Sequence, residues 1–166
     1  MPEQFDICDL HDHPHSEALL HLNNASARET SLLTTESFDQ LIRSARFALF
    51  IPPAVALLLA FEDTDSYDGG HFLWFRSKPG RFLYIDRVVV SQEWRRHGLA
   101  RMLYEDLFRH ARTLGHSRVV CEVNLEPPNP VSDQFHEVLG FAEIGRATIN
   151  DGAKTVRYLE AQIQVE

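Results

Sequence analysis

The sequence predicts a mixed α/β fold, in which strands and helices alternate along a chain of 166 residues. Phe82 to Val90 is a β-prone run, and apolar residues at the spacing of an amphipathic helix follow it. Arg118 to Leu125 then resumes the strand pattern, which completes a strand–helix–strand unit. Asn150-Asp151-Gly152 is a turn sequence typical of a β-hairpin. These three observations favour a mixed fold over an all-helical or all-β one.

The elements of the first half follow from periodicity and from the residues that begin and end helices. Ser16 is predicted to cap a first helix, which Asn23 to Ser26 end. Two strands joined at Pro52-Pro53 account for the longest apolar stretch. The predicted elements are a strand over Phe5–Leu10, a helix after Ser16, a helix from Thr35 or Glu36 to Ala45, and strands over Phe47–Ile51 and Ala54–Phe61.

The second half is predicted in the same way. A long connection, Glu62 to Gly80, precedes the central strand and carries clustered aromatic residues, which indicate either a lid over a substrate or a cover for the sheet. The remaining predicted elements are a helix from Leu99 to Leu114 stopped by Gly115, a helix over Ser132–Leu139 stopped by Gly140, and strands over Ala142–Ile149 and Thr155–Ile163.

Composition limits the classes of function. The chain has 16 Lys and Arg against 24 Asp and Glu, a net charge of −8, which disfavours nucleic acid and anionic membranes as partners. Its length fits a single domain over residues 1–166. The acidic N-terminal residues are not expected to form a signal peptide, and the apolar stretch from Phe47 to Phe61 is broken by two prolines. Cys8 and Cys121 are expected to be reduced thiols, so a cytoplasmic protein is predicted.

The segment from Arg95 to Arg101 is the most informative part of the sequence. It holds three arginines, one histidine and no acid, at the point where a predicted strand gives way to a long helix. Backbone N–H groups at a helix start attract anions, and the small residues Gly98 and Ala100 let a phosphate approach the main chain. The segment predicts a polyphosphate site; an ordinary turn with solvated arginines is the alternative. The GxGxxG and P-loop signatures are absent.

Two motifs resemble those of the GNAT family of N-acetyltransferases. Arg95-Arg96-His97-Gly98-Leu99-Ala100 matches the family's [Q/R]-x-x-G-x-[G/A] signature for the pyrophosphate of acetyl-CoA. Asn129 to Phe141 is similar to its N-x-x-[A/S]-x-x-F-Y-x-x-x-G-F motif, at the usual separation. Shorter segments, among them Trp74-Phe75 and Pro127-Pro128-Asn129-Pro130, resemble a bacterial branch of acetyltransferases without a settled substrate.

The resemblance implies a mixed, mostly antiparallel central sheet of six to seven strands flanked by about four helices. It also implies acetyl-CoA as co-substrate, with its pantetheine arm on the central strand and its pyrophosphate on the following loop. The residues that the resemblance assigns to the cofactor are Val88, Val89, Val90, Arg95, Arg96, His97, Gly98, Leu99, Ala100, Arg101, Asn129 and Ser132.

Three residues are candidates for proton transfer. His136 stands where the family has a tyrosine that protonates the departing thiolate; it either keeps that role or is only a polar helix residue. Asp86 and Glu122, on neighbouring strands, are candidate bases for the amine. Their alternative is a structural ion pair with Arg87 or Arg118.

The acceptor side is less determined. The resemblance places Asn23, Asn24 and Trp74 near the acceptor, although the two asparagines are also typical of a helix end. A small-molecule amine is the expected partner, and since dimers are frequent in the family, a homodimer is one expected state.

The predicted function is therefore transfer of an acetyl group from acetyl-CoA to an amine of a small molecule, amino acid or peptide. Two rivals remain at this stage. A non-catalytic module that senses acyl-CoA would share the anion site and would not need the missing tyrosine. A metal-dependent hydrolase built on His11, His13 and His15 would need a barrel of about 250 residues, so no metal site is predicted.

Overall fold

The computed structural model describes residues 4–13, 17–26, 32–149 and 151–164, and these contain seven strands and five α-helices. The predicted cap Ser16 and the first turn residue, Asn150, lie outside the described residues. The strands are β1 (Cys8–Asp9), β2 (Phe47–Ile51), β3 (Ala56–Glu62), β4 (Phe82–Val90), β5 (Arg118–Glu126), β6 (Ala142–Ile149) and β7 (Lys154–Gln162). The helices are α1 (Glu17–Ala25), α2 (Thr35–Ser44), α3 (Gly70–Arg76), α4 (Leu99–Leu114) and α5 (Pro130–Val138).

The chain forms two compact units, residues 1–67 with 85–107 and residues 68–84 with 108–166. Strands follow the order β1-β2-β3-β4 in the first unit and β4-β5-β7-β6 in the second, with the residues of β4 divided between them. β4 and β5 pair in parallel, whereas β1–β2, β2–β3, β5–β7 and β6–β7 are antiparallel. The predicted mixed, mostly antiparallel sheet of up to seven strands is confirmed.

The first unit is organised around an apolar cluster shared by its helices and its β2–β3 hairpin. Leu19 of α1 and Phe38 of α2 are almost wholly buried there, against Phe50 of β2 and Leu57 of β3. The start of α2 is fixed by a capping box, in which Thr34 and Ser37 exchange side-chain and backbone hydrogen bonds. The unit therefore holds α1 in a defined place.

The second unit is built on strand alternation. Neighbouring residues of β7 point to opposite faces, so Tyr158 and Leu159 lie on different sides of the ladder that β7 forms with β5. Phe75 of α3 packs against Tyr84 and Tyr158, with ring centroids 5.9 and 5.1 Å away. One face of this unit is thus covered by α3.

α3 corrects the interpretation of residues 62–80 as an unstructured connection. Its seven residues lie between a Gly-Gly pair and a Pro-Gly pair, so composition alone indicated a loop. Phe72 and Phe75 occur at helical spacing and are fully buried, and this burial stabilises a helix that is too short to be stable by itself.

The other corrections concern boundaries. β1 covers two residues, not Phe5–Leu10, because the next three form a 3₁₀ turn in which Asp9 accepts the N–H of His11 at 2.9 Å. α1 continues through Asn23 and Asn24 to Ala25. α5 begins at Pro130, before the predicted Ser132, since Asn129 caps it and proline suits the first helical turn.

Replacement of Arg118 by lysine is expected to destabilise the second unit. The buried guanidinium pairs with Glu160 at 3.1 Å and donates to the carbonyl groups of Phe75 and Gly80 at 3.4 and 3.2 Å. A lysine ammonium does not reproduce this planar fork, so the free energy of unfolding should fall by about 2–4 kcal/mol in urea titrations. Arg146→Lys is the control, because the exposed Arg146–Glu143 pair is worth about 0.5 kcal/mol. Equal effects of the two changes would contradict this role of Arg118.

Candidate active site

The loop between β4 and α4, in the first unit, has the geometry of an anion cradle. A 3₁₀ turn over Gln92–Trp94 precedes it, and Arg96 and Gly98 then adopt left-handed backbone angles, with φ of 66° and 73°. The first helical bond runs from the N–H of Met102 to the carbonyl of Gly98 at 3.0 Å, so the N–H groups of Leu99 to Arg101 have no acceptor within α4. Such N–H groups at the positive end of a 16-residue helix suit a phosphate.

The side chains of this loop differ in where they lie. Leu99 is buried and anchors α4 in the first unit, whereas Arg95 and Arg96 are exposed. The ring of His97 binds back to the loop, with its Nδ1 2.8 Å from the carbonyl oxygen of Arg95. Arg101 pairs with Glu105 one turn along α4, at 2.8 Å. The loop is therefore less basic than its sequence suggests, and its cradle is mainly backbone.

The last residues of β4 before the loop alternate between two faces of the strand. Val89 faces the interior, and Val88 and Val90 are half-buried on the other side. The two strand positions assigned to the cofactor by their main chain thus share one face.

Asp86 lies in a buried ion pair, the alternative considered for it from the sequence. Its Oδ2 accepts from Nε of Arg87 at 2.7 Å and its Oδ1 from the hydroxyl of Tyr67 at 2.6 Å. Both charged side chains are 7% exposed. Each carboxylate oxygen therefore already has a strong donor.

Arg87 extends this network to α1. It donates from a terminal nitrogen to Oδ1 of the fully buried Asn23, at 2.9 Å. Asn23 in turn donates to Oδ1 of Asn24 at 3.0 Å, and Asn24 exchanges two hydrogen bonds of 2.9 Å with the backbone of Leu33. The two asparagines thus join α1 to β4 and to the segment before α2.

Glu122, the other candidate base, lies in the second unit. Its Oε2 accepts from the hydroxyl of Tyr84 at 2.8 Å, and Tyr158 is its cross-strand partner. Burial and, after it, the negative charge of Glu122 raise the pKa of Tyr158 above its ordinary value. The Tyr158 hydroxyl also lies 3.0 Å from Nδ1 of His71 on α3. Glu122 thus accepts from the phenol of Tyr84 and lies opposite Tyr158 in the strand pairing.

Trp74 lies on the same face. Its ring stacks on Tyr158 with centroids 4.1 Å apart, and Nζ of Lys78 lies over it at 4.9 Å. A Cβ atom at Gly145 would come within 2.7 Å of the Trp74 ring, so only glycine lets the indole lie flat here. The aromatic cluster covers the sheet through its phenylalanines, and Trp74 is the half-buried member at its edge.

His136 lies on the opposite face of the second unit. On α5 it contacts Phe141, and it lines a cavity of about 410 Å³ together with Arg157 and Leu159. Its Nδ1–H donates a hydrogen bond to the carbonyl oxygen of Ser132, with the two atoms 2.7 Å apart. Burial lowers the pKa of His136 below its ordinary value. The lowered pKa favours the neutral imidazole, and the hydrogen bond to a carbonyl oxygen requires a proton on Nδ1.

Asn129 and Ser132 precede His136 on α5. The side chain of Asn129 caps the helix by accepting the N–H of Ser132 at 3.2 Å. The hydroxyl of Ser132 lies 3.3 Å from Nδ1 of His136. These three residues share one side of the helix, because they are spaced three and four positions apart.

Sequence reasoning missed Tyr67, Tyr84, Tyr158 and His71 as members of these clusters. Tyr84 lies two residues before Asp86 on the same strand, so alternation could have indicated it. To predict Tyr158, one would have to know the register of β7 on β5. To predict Tyr67, one would have to know the path of the chain between β3 and α3. No local sequence pattern supplies either.

Comparisons place the chain among known proteins. A family model described as "Acetyltransferase (GNAT) family" matches residues 17–141. No curated protein matches the sequence significantly. The structure is similar to the ribosomal-protein-S18-alanine N-acetyltransferase of Escherichia coli, with TM-score 0.65, 15% identity, and coverage of 98% of this chain and 96% of the other.

Two further solved structures are similar to this one. A GNAT family acetyltransferase from Elizabethkingia anophelis with acetyl-CoA bound has TM-score 0.66, 12% identity, and coverage of 98% of this chain and 100% of the other. An acetyltransferase of the same family from Streptococcus pneumoniae has TM-score 0.67, 15% identity, and coverage of 97% and 100%. At these identities the likeness shows a shared fold. Within the described residues, no helix is long and apolar enough to cross a membrane.

Gly98→Leu is expected to abolish binding of acetyl-CoA. Apart from the residues next to it in the chain, nothing lies within 4 Å of a Cβ built at Gly98, so a leucine would fill the space that a phosphate needs. Gly115→Leu is the matched control, because Gly115 has a similar left-handed φ, 79° against 73°, and equally open surroundings. Each change costs about 1–2 kcal/mol of backbone strain. In thermal-shift measurements both variants should have a lower Tm than the wild type, and only Gly98→Leu should lose the stabilisation by acetyl-CoA. If Gly98→Leu were still stabilised by acetyl-CoA, the cradle would not be its binding site.

His136 is expected to make stability depend on pH. Because its pKa in the folded chain lies below the ordinary value, the unfolded chain binds the proton more readily below about pH 6.5. This contribution to stability is therefore complete above pH 6.5 and is lost as the pH falls. His136→Asn keeps a donor near the Ser132 carbonyl but does not titrate, so urea titrations from pH 8 to 5 should show a shallower loss. An unchanged slope would show that other groups cause it.

Proposed function

The chain belongs to the acetyltransferase (GNAT) family, whose members use acetyl-CoA, and from that premise we propose that it acetylates a primary amine of a small molecule, an amino acid or a peptide. The observation that carries the proposal is the backbone cradle at the start of α4, which suits the pyrophosphate of acetyl-CoA. When bound, acetyl-CoA supplies an acetyl group activated as a thioester.

The binding roles proposed for this chain follow from the loop and from α5. The N–H groups of Leu99, Ala100 and Arg101 donate to the pyrophosphate, and the exposed guanidinium of Arg96 adds positive charge. Val88 and Val90 offer main-chain groups to the pantetheine amides. Since Oδ1 of Asn129 already caps α5, any donation by Asn129 to the cofactor comes from its Nδ2.

Glu122 is the better candidate base of the two carboxylates. Asp86 is neutralised by Arg87 and holds a hydroxyl on its other oxygen, so taking a further proton would break a buried ion pair. Glu122 accepts from Tyr84, a neutral donor, and a phenol hydrogen bond opposes protonation less than an arginine does. Glu122 therefore accepts the proton that the amine loses when its nitrogen bonds to the acetyl carbon and the sulfur departs.

The geometry of His136 supports the second of its two roles, that of a polar helix residue. A neutral imidazole whose N–H is donated to the Ser132 carbonyl has no further proton for a thiolate. We therefore propose that the thiolate departs without a proton from His136. Its location in place of the family tyrosine marks a departure from the usual mechanism.

The remaining parts of the proposal concern the protein's surroundings. Cys8 and Cys121 are both free thiols, which supports a reducing compartment such as the cytoplasm. The net charge of −8 supports a cationic small-molecule amine over a nucleic acid as acceptor.

Glu122→Gln is expected to lower kcat by about 10²–10⁴-fold in a thiol-release assay over a panel of amines. The reason is that an amide cannot act as the base, although its oxygen can still accept the hydrogen bond from Tyr84. Its thermal stabilisation by acetyl-CoA should persist. Asp86→Asn is the comparison: it leaves Arg87 without its charge partner and should cost about 3–5 kcal/mol of stability, with kcat of the folded protein largely kept.

The opposite pattern, with turnover lost in Asp86→Asn and kept in Glu122→Gln, would make Asp86 the base. Binding of acetyl-CoA by the wild-type protein without acetylation of any amine would instead support the acyl-CoA sensor. Absence of any stabilisation by acetyl-CoA or CoA would refute the proposed function itself.

A further inference from the structure

A groove of about 550 Å³ lies in the first unit, and none of the catalytic candidates lines it. Its walls are one face of α1, the turn that joins β2 to β3, and the end of β4 with the residues after it. This volume is in the range of sites for small molecules. The lining residues are Glu17, Ala18, His21, Leu22, Ala25, Ser26, Ala54, Val90, Ser91, Gln92 and Arg95.

The groove combines two opposite charges with an apolar surface. Glu17 and Arg95 both line it, and neither forms an ion pair with any residue that the structure describes. Side chains of Ser91 and Gln92 add neutral hydrogen-bonding groups, and Leu22 and Val90 add apolar contacts. A complementary ligand therefore carries an ammonium group and a carboxylate on a short aliphatic frame.

Arg95 is assigned to this groove by its side chain. Nε of Arg95 points back to the carbonyl oxygen of Val90, at 3.4 Å, and so toward the groove. Its main chain remains part of the loop that forms the cradle. Arginine is the residue best suited to a carboxylate, because its planar fork matches the two oxygens.

The α1 wall of the groove is fixed before any ligand binds. Asn23, on the turn of α1 that carries Leu22, is fully buried and bound to Arg87 at 2.9 Å. Leu19, one turn earlier, is 1% exposed in the apolar cluster of the unit. A groove with a preset wall loses little free energy to ordering when a ligand enters.

We propose that this groove binds the acceptor and that the acceptor is a diamino acid, with its α-ammonium group on Glu17, its carboxylate on Arg95 and its second amine left for acetylation. This rests on the proposed function for the transfer itself. Val90 lines the groove and belongs to the strand segment assigned to the cofactor, so an acceptor held here lies beside that segment.

Three amines test the proposal, because each keeps the same five-carbon segment that ends in the terminal amine. L-Lysine has both charged groups of the head, 6-aminohexanoate lacks the α-ammonium group, and cadaverine lacks the carboxylate. Titration calorimetry with the full chain, alone and saturated with CoA, should show lysine binding at least about tenfold more tightly than either analogue, a difference of about 1.4 kcal/mol. Acetylation of lysine should give the Nε product.

Glu17→Gln separates the groove from general charge effects. It should weaken the binding of lysine and of cadaverine by about tenfold and leave that of 6-aminohexanoate unchanged, since 6-aminohexanoate is the one probe without an ammonium group at the position that Glu17 contacts. Glu36→Gln is the matched control, because Glu36 is an exposed acid in the first turn of α2, as Glu17 is in α1. It should leave the binding of all three amines unchanged.

Equal binding of the three amines, or an unchanged affinity of Glu17→Gln for lysine, would overturn the proposal. These binding measurements need no acetyl transfer. Lysine binding of the expected kind without acetylation of any amine would therefore refute the proposed function and support the groove as a lysine site. Acetylation of amines with no preference for lysine would support the proposed function and refute the groove as a lysine site.

Discussion

The buried ion pair between Asp86 and Arg87 is the interaction on which the geometry of the first unit depends. Removing two charges from water costs more than their attraction returns unless their other hydrogen-bonding groups are also satisfied. Tyr67 supplies one of these partners and is itself stacked on Phe61, with ring centroids 4.0 Å apart. Asn23 supplies another, from α1. The charge pair thus sets where α1 lies along β4, and the groove between them follows from it.

In the second unit, strand alternation separates the candidate catalytic groups. Glu122 and Tyr158 are cross-strand partners and share the face that α3 covers. His136 contacts the other face, beside Arg157 and Leu159. A direct proton exchange between Glu122 and His136 would have to pass through the strands themselves, so the two residues cannot form an acid–base pair. Any part that each takes in the reaction is separate.

Local patterns predicted those features whose causes are local. The bounds of β2, β4 and β6 follow from apolar or β-prone runs between clear turns, and the cradle follows from residues that are contiguous around Gly98. The contacts of the candidate bases are different. Arg87 meets Asn23 across 64 positions of the sequence, and Tyr158 meets Glu122 only through the register of β7 on β5. A sequence could name both carboxylates, but only the fold shows which of them is neutralised by an arginine.

The loss of a proton donor at position 136 is tolerable for a reason that lies in the two substrates. An aliphatic amine with a pKa of about 10.4 is almost wholly protonated at pH 7, so its nitrogen has to lose one proton before it attacks and a second as the amide forms. A thiol has a pKa of about 8.5, so its thiolate departs at neutral pH with far less need of a proton. The reaction therefore depends on its base more than on its acid. With Glu122, hydrogen-bonded to Tyr84, as the proposed base, and a histidine of lowered pKa where an acid is usual, the chain would retain the step that is harder to replace.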